Sequence, residues 1–365
     1  MKKIIILMIM AITFCCITAC LADSQTETDG IPEQRDTIRS EASQSAGEAV
    51  LSDYEVIERE PEDMRLEDYP QTQAAYTESV PSAYFNPAAR QGQMIRVEYE
   101  SVDYTAGADE RITKPAYVYL PYGYDEDDEN TRYDILYLMH GWTMTAGDFF
   151  GDGYREESSL INILDNMIEN GDIKPLVVVS VTFDAENAPQ DFGRSVKELS
   201  LFHNDFRNNL VPFIESNFHT YAEAVTEDGL AASRGHRAFG GFSLGAVTTW
   251  YQFIYNLDYV KYFLPMSGDC WVLGTYGGRY HPVETTEYLE TLITDNGYAE
   301  DDFYVCSAIG TSDPIWYQVD NQMQAMLQSS IFTEKNLHYA VKRQGQHDMN
   351  AVQEYIYNAV PMFFQ

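Results

Sequence analysis

Ser243 lies between two glycines in Gly241-Phe242-Ser243-Leu244-Gly245, with strand-type residues before it and the helix-compatible run Ala246 to Trp250 after it. A serine hydroxyl becomes a useful nucleophile only when a neighbouring base takes its proton, and it must stand clear of its own backbone to reach a substrate. A sharp strand-to-helix turn does the second job. Flanking side chains would collide in such a turn, and Gly241 and Gly245 remove them. The same turn puts the Leu244 N–H at a helix start, where unpaired donors and the helix dipole favour negative charge. One turn therefore offers a nucleophile and half of an oxyanion hole.

The chain has seven histidines from which to draw the base. His347 is the strongest candidate, in the polar loop Gln344-Gly345-Gln346-His347-Asp348 between the last strand and the last helix. His338 falls inside a strand, and His203 and His219 fall on or beside a helix, so these read as packing or surface residues. His140, ahead of Gly141, reads as a residue that shapes its loop. For the acid that orients the base, Asp313 in Gly310-Thr311-Ser312-Asp313-Pro314 is favoured, with Asp269 in Ser267-Gly268-Asp269-Cys270-Trp271 as its rival one strand earlier. The second oxyanion donor is assigned to the Trp142 N–H after His140-Gly141. Trp142, Trp271 and Trp316 each follow a strand end on the side where these groups collect. They suggest an aromatic-lined cleft, although a chain with 27 tyrosines places aromatic rings near any site.

The elements that must hold these residues alternate along the chain. Met94 to Tyr99 and Lys114 to Leu120 read as strands; Asp134 to Met139 and Leu176 to Val181 are nearly unbroken apolar runs, as in strands covered on both faces. Further strands are expected at Tyr262 to Met266, Phe303 to Ile309 and Leu337 to Val341. Helical spacing covers Ser158 to Asn170, Lys197 to Phe218 with a kink at Pro212, Val283 to Asn296, Tyr317 to Ser329 and Asp348 to Phe363. This order gives an α/β fold with a mostly parallel central sheet and helices on both faces, over residues 83–365. The carboxylate run Asp125 to Glu129 lacks the ligand spacing of a calcium loop and reads as a solvated turn. No cofactor or metal is expected.

Ahead of that domain, residues 1–20 have the form of an export leader: Lys2 and Lys3, an apolar stretch from Ile4 to Phe14, then Ile17-Thr18-Ala19-Cys20, which has the pattern of a bacterial lipobox. Cys20 is then the expected lipidation site, with the protein held on the outer face of the cytoplasmic membrane; cleavage to a secreted form is the alternative. Residues 21–82 are acidic and rich in Ser, Thr and Gln, without a sustained period, and read as a disordered tether. The formal net charge of −34 becomes about −36 once Lys2 and Lys3 leave with the leader. Such a surface repels nucleic acid and anionic lipid headgroups, so the membrane is expected as a partner through the lipid anchor alone. Beyond the leader only Cys270 and Cys306 remain, too few for a disulfide framework, with a single bridge between them left open.

From about Asn86 onward the chain resembles the esterase-D-type α/β-hydrolases, most closely the feruloyl and acetylxylan esterases of carbohydrate esterase family 1. The resemblance is carried in order by Val118-Tyr119-Leu120-Pro121, Leu136 to Gly141, Gly241 to Gly245, Pro265 to Asp269, Gly310 to Asp313 and Gly345 to Asp348. It implies the α/β-hydrolase fold, a Ser243–Asp313–His347 triad, and hydrolysis of ester substituents on feruloylated or acetylated plant cell-wall polysaccharide. Feruloyl ester cleavage is the first expectation. Deacetylation of xylan, acyl transfer to a sugar, and a catalytically silent surface binding protein are the alternatives. Two departures stand out: Leu244 and Ala246 replace the Met and Gly frequent in the family, and the bulky Trp142-Thr143-Met144-Thr145 replaces a glycine-rich stretch, which bears on the shape of the acyl pocket.

Overall fold

Side chains along β4 (Asp134–Met139) alternate between two apolar layers: Ile135, Tyr137 and Met139 join one core cluster, Leu136 and Leu138 the other. Every residue of this strand is buried, as the unbroken apolar run requires. The computed structural model describes residues 74–106, 110–128, 130–153, 158–187 and 191–365. Cys20 and the rest of the leader lie outside these residues, as does most of the proposed tether.

The strands are β1 (Ala75–Tyr76), β2 (Gln93–Val102), β3 (Arg111–Leu120), β4, β5 (Leu176–Val181), β6 (Arg237–Phe242), β7 (Tyr262–Met266), β8 (Tyr304–Gly310) and β9 (Leu337–Lys342). They form one sheet in the order β1-β9-β8-β7-β6-β4-β5-β3-β2. Strands β2 and β3 pair antiparallel, as do β3 and β5; all other neighbours are parallel. The helices are α1 (Leu160–Asn170), α2 (Phe192–Asp205), α3 (Val211–Asn217), α4 (Glu227–Ala232), α5 (Leu244–Tyr255), α6 (Gly277–Tyr280), α7 (Pro282–Asp295), α8 (Trp316–Met326) and α9 (Met349–Ala359). Helices α1 and α9 cover one face of the sheet; α2, α3, α5, α7 and α8 cover the other. This is the α/β architecture expected from the strand–helix alternation.

Several boundaries differ from those expected. The fold begins before residue 83: β1 adds a parallel edge strand to β9, Thr77 N–H donates to the Val341 carbonyl at 3.0 Å, and Val80 is buried against Ile163 and Met167. Two residues of edge strand have no periodicity to announce them; pairing across 265 positions of sequence, Ala75 with Ala340, is what orders them. The long helix around Pro212 is three pieces, α2, a π-turn at Phe206–Leu210, and α3 with the proline in its first turn. Proline has no N–H to donate, and the π-turn absorbs the missing bond. Helix α2 also starts five residues before Lys197, at Phe192, capped by the Asp191 side chain accepting the Arg194 N–H at 3.0 Å.

The start of the strand leading to Ser243 is anchored by a buried ion pair. Arg237 Nε donates to Glu215 at 2.6 Å, and its other donors reach the Leu230 and Tyr259 carbonyls and Ser233 Oγ. With four of the five guanidinium N–H groups bonded to buried partners, sliding of β6 along the sheet would leave a buried charge unpaired.

Candidate active site

Five parallel strands end at one edge of the sheet, and each delivers part of the site from its carboxyl end: β4 brings His140 to Trp142, β6 brings Ser243, β7 brings Asp269, β8 brings Asp313 and β9 brings His347. Ligand sites of open parallel sheets collect on this edge because the loops there diverge from a rigid base.

Ser243 has φ 58 and ψ −116, a conformation that an L-residue occupies only when its surroundings force it. The forcing is close packing. A Cβ on Gly245 would overlap the Met139 carbonyl, and one on Gly241 would overlap the Gly245 backbone. The Ser243 N–H is held by the Met266 carbonyl at 2.9 Å, and the Ser243 carbonyl accepts from Ala246 N–H at 2.9 Å. Leu244 follows as the first residue of α5, so its N–H has no acceptor within the helix.

His347 Nδ1 lies 2.9 Å from Asp313 Oδ2. The carboxylate accepts, so Nδ1 carries the hydrogen and Nε2 is left as the proton acceptor. Asp313 is buried, and its other oxygen accepts the Ile315 N–H at 2.9 Å. The Phe242 ring packs on the imidazole with centroids 4.5 Å apart, tying His347 to the residue beside Ser243. The acid loop and the base loop are stitched together: Ser312 N–H donates to the Gly345 carbonyl at 3.0 Å and Gln344 N–H to Thr311 Oγ1 at 2.8 Å. Gly310 and Gly345 meet so closely that a side chain on either would strike backbone or the Lys342 stem.

Asp269, the rival acid, is occupied elsewhere. Its two oxygens accept from Trp271 Nε1 at 2.7 Å and from Arg279 N–H at 3.0 Å, and burial pushes its carboxyl up to about 7. It fastens the loop that carries Trp271 and does not meet His347.

Trp142 and Trp271 share an aromatic row with Phe192, which the sequence reading missed. Ring centroids are 5.3 Å apart from Trp142 to Phe192 and 6.4 Å from Phe192 to Trp271. Trp142 and Phe192 are exposed, whereas Trp271 is buried. Trp316 is not in this row: it is buried in the core against Tyr339, because α8 begins there and turns the indole toward the sheet. The proposed cleft therefore loses Trp316 and gains Phe192. Cys270 and Cys306 are free and buried, and burial pushes both thiols up to about 12, so they are inert fillers of the core.

The Esterase family model matches residues 112–355, which run from within β3 to within α9 and include Ser243, Asp313 and His347. The chain belongs to the Esterase family. The endo-1,4-beta-xylanase Y of Acetivibrio thermocellus is 36% identical to it over 290 residues, 78% of this chain and 24% of that protein. The endo-1,4-beta-xylanase/feruloyl esterase of Xylanibacter ruminicola is 33% identical over 141 residues, 37% of this chain and 16% of that one. This chain therefore spans about a quarter or less of the length of these curated relatives. Among solved structures, a serine-to-alanine variant of the feruloyl esterase module from Clostridium thermocellum, complexed with sinapinate, is 35% identical with a TM-score of 0.69, covering 80% of this chain and 95% of that one. The fold is that of the α/β-hydrolase esterases.

Proposed function

We propose that this protein is a serine feruloyl esterase that releases hydroxycinnamate from the arabinoxylan of plant cell walls. The observation that carries the reading is the joint one: Ser243 on a strained elbow, and His347 hydrogen-bonded to a buried Asp313, on a fold shared nearly end to end with a module whose ligand is a hydroxycinnamate. The xylanases among its relatives support xylan as the polymer.

In the proposed reaction His347 Nε2 takes the Ser243 proton as Oγ attacks the ester carbonyl. The Leu244 and Trp142 N–H groups receive the developing oxyanion, the imidazolium returns its proton to the departing sugar hydroxyl, and a water activated by the same histidine hydrolyses the acyl-enzyme. The exposed Trp142–Phe192 pair, on the loop after β4 and at the start of α2, supplies aromatic surface for the hydroxycinnamoyl ring.

The test is a comparison of methyl ferulate, acetylated xylan and p-nitrophenyl acetate with protein lacking residues 1–20, alongside Ser243→Ala. Ferulate release at a substantial rate, abolished by Ser243→Ala to at least about 10⁴-fold below the parent, is expected. Fast acetate release without ferulate release makes the protein an acetylxylan esterase instead. A second part of the proposal concerns location: the Ala19-Cys20 signal supports a lipoprotein on the outer face of a bacterial cytoplasmic membrane, its catalytic domain on an acidic spacer.

A further inference from the structure

A buried chain of hydrogen bonds behind the site ends on one peptide plane. His140 has no exposed surface; its Nδ1 lies 2.8 Å from the Gly141 carbonyl and its Nε2 2.8 Å from Thr182 Oγ1. A carbonyl only accepts, so Nδ1 carries the hydrogen. Nε2 then accepts from the Thr182 hydroxyl, whose oxygen in turn accepts the Asp184 N–H at 3.1 Å. This order of donors requires a neutral imidazole, and burial provides it by pushing His140 down to about 4. Phe183 packs against the ring, centroids 4.8 Å apart, and the Met144 N–H gives the Gly141 carbonyl a second bond at 3.2 Å.

The consequence lies on the other side of that peptide. All described peptide bonds are trans, so the carbonyl of Gly141 and the N–H of Trp142 point in opposite directions from one rigid plane. Two donors that fasten the carbonyl inward therefore fix where the N–H points. Gly141 lies against the nucleophile: a Cβ placed on it would come 3.1 Å from Ser243 Cβ. We propose that His140, oriented by Thr182, is a positioning residue for the oxyanion hole, setting the direction of the Trp142 N–H through the Gly141–Trp142 peptide. This rests on the reading of Ser243 as the nucleophile of an esterase. It goes beyond general support of the loop, because it assigns one nitrogen of His140 and one peptide plane to transition-state stabilisation.

Two substitutions separate the positioning role from a structural one. His140→Leu removes the donor; His140→Asn keeps a short side-chain N–H near the place of Nδ1. For each variant kcat and KM are measured on methyl ferulate, together with inhibition by an aryl trifluoromethyl ketone, whose serine adduct carries an oxyanion, and by ferulate, which does not. His140→Leu is expected to lower kcat by about 10²-fold with KM within about twofold, and to weaken the ketone by a factor matching the loss in kcat while ferulate inhibition holds. His140→Asn is expected to restore most of both losses. Should His140→Leu fail to fold, Thr182→Val frees Nε2 from its donor with a smaller change of shape, and the same matched loss of kcat and ketone affinity is expected at smaller size. Undiminished kcat, or a fall in kcat without weaker ketone binding, or equal losses in the Leu and Asn variants, would overturn the proposal. Ser243→Ala run alongside keeps the two readings apart: activity that survives it removes the nucleophile and this proposal together, whereas activity it abolishes, but to which His140 is indifferent, removes this proposal alone.

Discussion

At the scale of single residues, the two aspartates divide their work by what surrounds them. Asp313 meets Nδ1 of the base, and Asp269 holds an indole and a backbone N–H. Asp313→Asn presents an amide to an imidazole that needs an acceptor, so kcat is expected to fall by about 10⁴-fold, while Asp269→Asn should mainly disturb the Trp271 loop and raise KM for aromatic esters. Steady-state kinetics of the two variants side by side check this, and the reverse order would move the acid to Asp269. His140 carries a separate pH prediction. Its pKa is about 4 in the fold against 6.5 for the free side chain, so between these values the unfolded chain binds the extra proton. The stabilisation from holding it neutral is therefore complete above pH 6.5 and is lost as pH falls toward 4. Relative to His140→Asn, which does not titrate, the parent should lose about 3 kcal/mol over that window. Denaturant titrations of both proteins at pH 7 and pH 4 measure the difference.

Elements were legible where their residues speak locally. Strands β4, β5 and β7 begin and end where their apolar runs do, and the glycines around Ser243 announce a turn that only glycine can make. The loops bearing Asp313 and His347 were legible too, since each follows a readable strand. What escaped depends on partners distant in sequence. Strand β1 exists because β9 accepts it, and Phe192 joins the site because the start of α2 comes to rest beside Trp142. Trp316 carried the same sequence signal as Trp271, but a helix beginning at one indole and a loop fastened by Asp269 at the other send them to different places. The contact of Gly310 with Gly345 is likewise invisible in either loop alone. Gly310→Ala would push the Gly345 backbone away and draw Asp313 from His347. A displacement of about 1 Å at a catalytic pair costs on the order of 10²-fold, so kcat should drop by that factor while the circular dichroism spectrum is kept. An unchanged kcat would show that the two loops do not hold the pair in register.

For the whole molecule, the formal net charge of −34 favours solubility and repels polyanions. The proposed attachment is through a lipid on Cys20. Replacing Cys20 with serine removes the thiol that a lipid would occupy, and activity should move from the membrane fraction to the soluble one; activity that stays with the membrane would require a different anchor.

The edge strand β1 gives that arrangement a direction. It runs parallel to β9, so the chain comes into the sheet heading the way β9 heads, toward the edge where His347 and its partners lie. The chain therefore joins the sheet at the end opposite His347. With the proposed anchor at Cys20, that polarity would leave Ser243 and His347 at the end of the sheet that is not the point of attachment, open to an incoming ester.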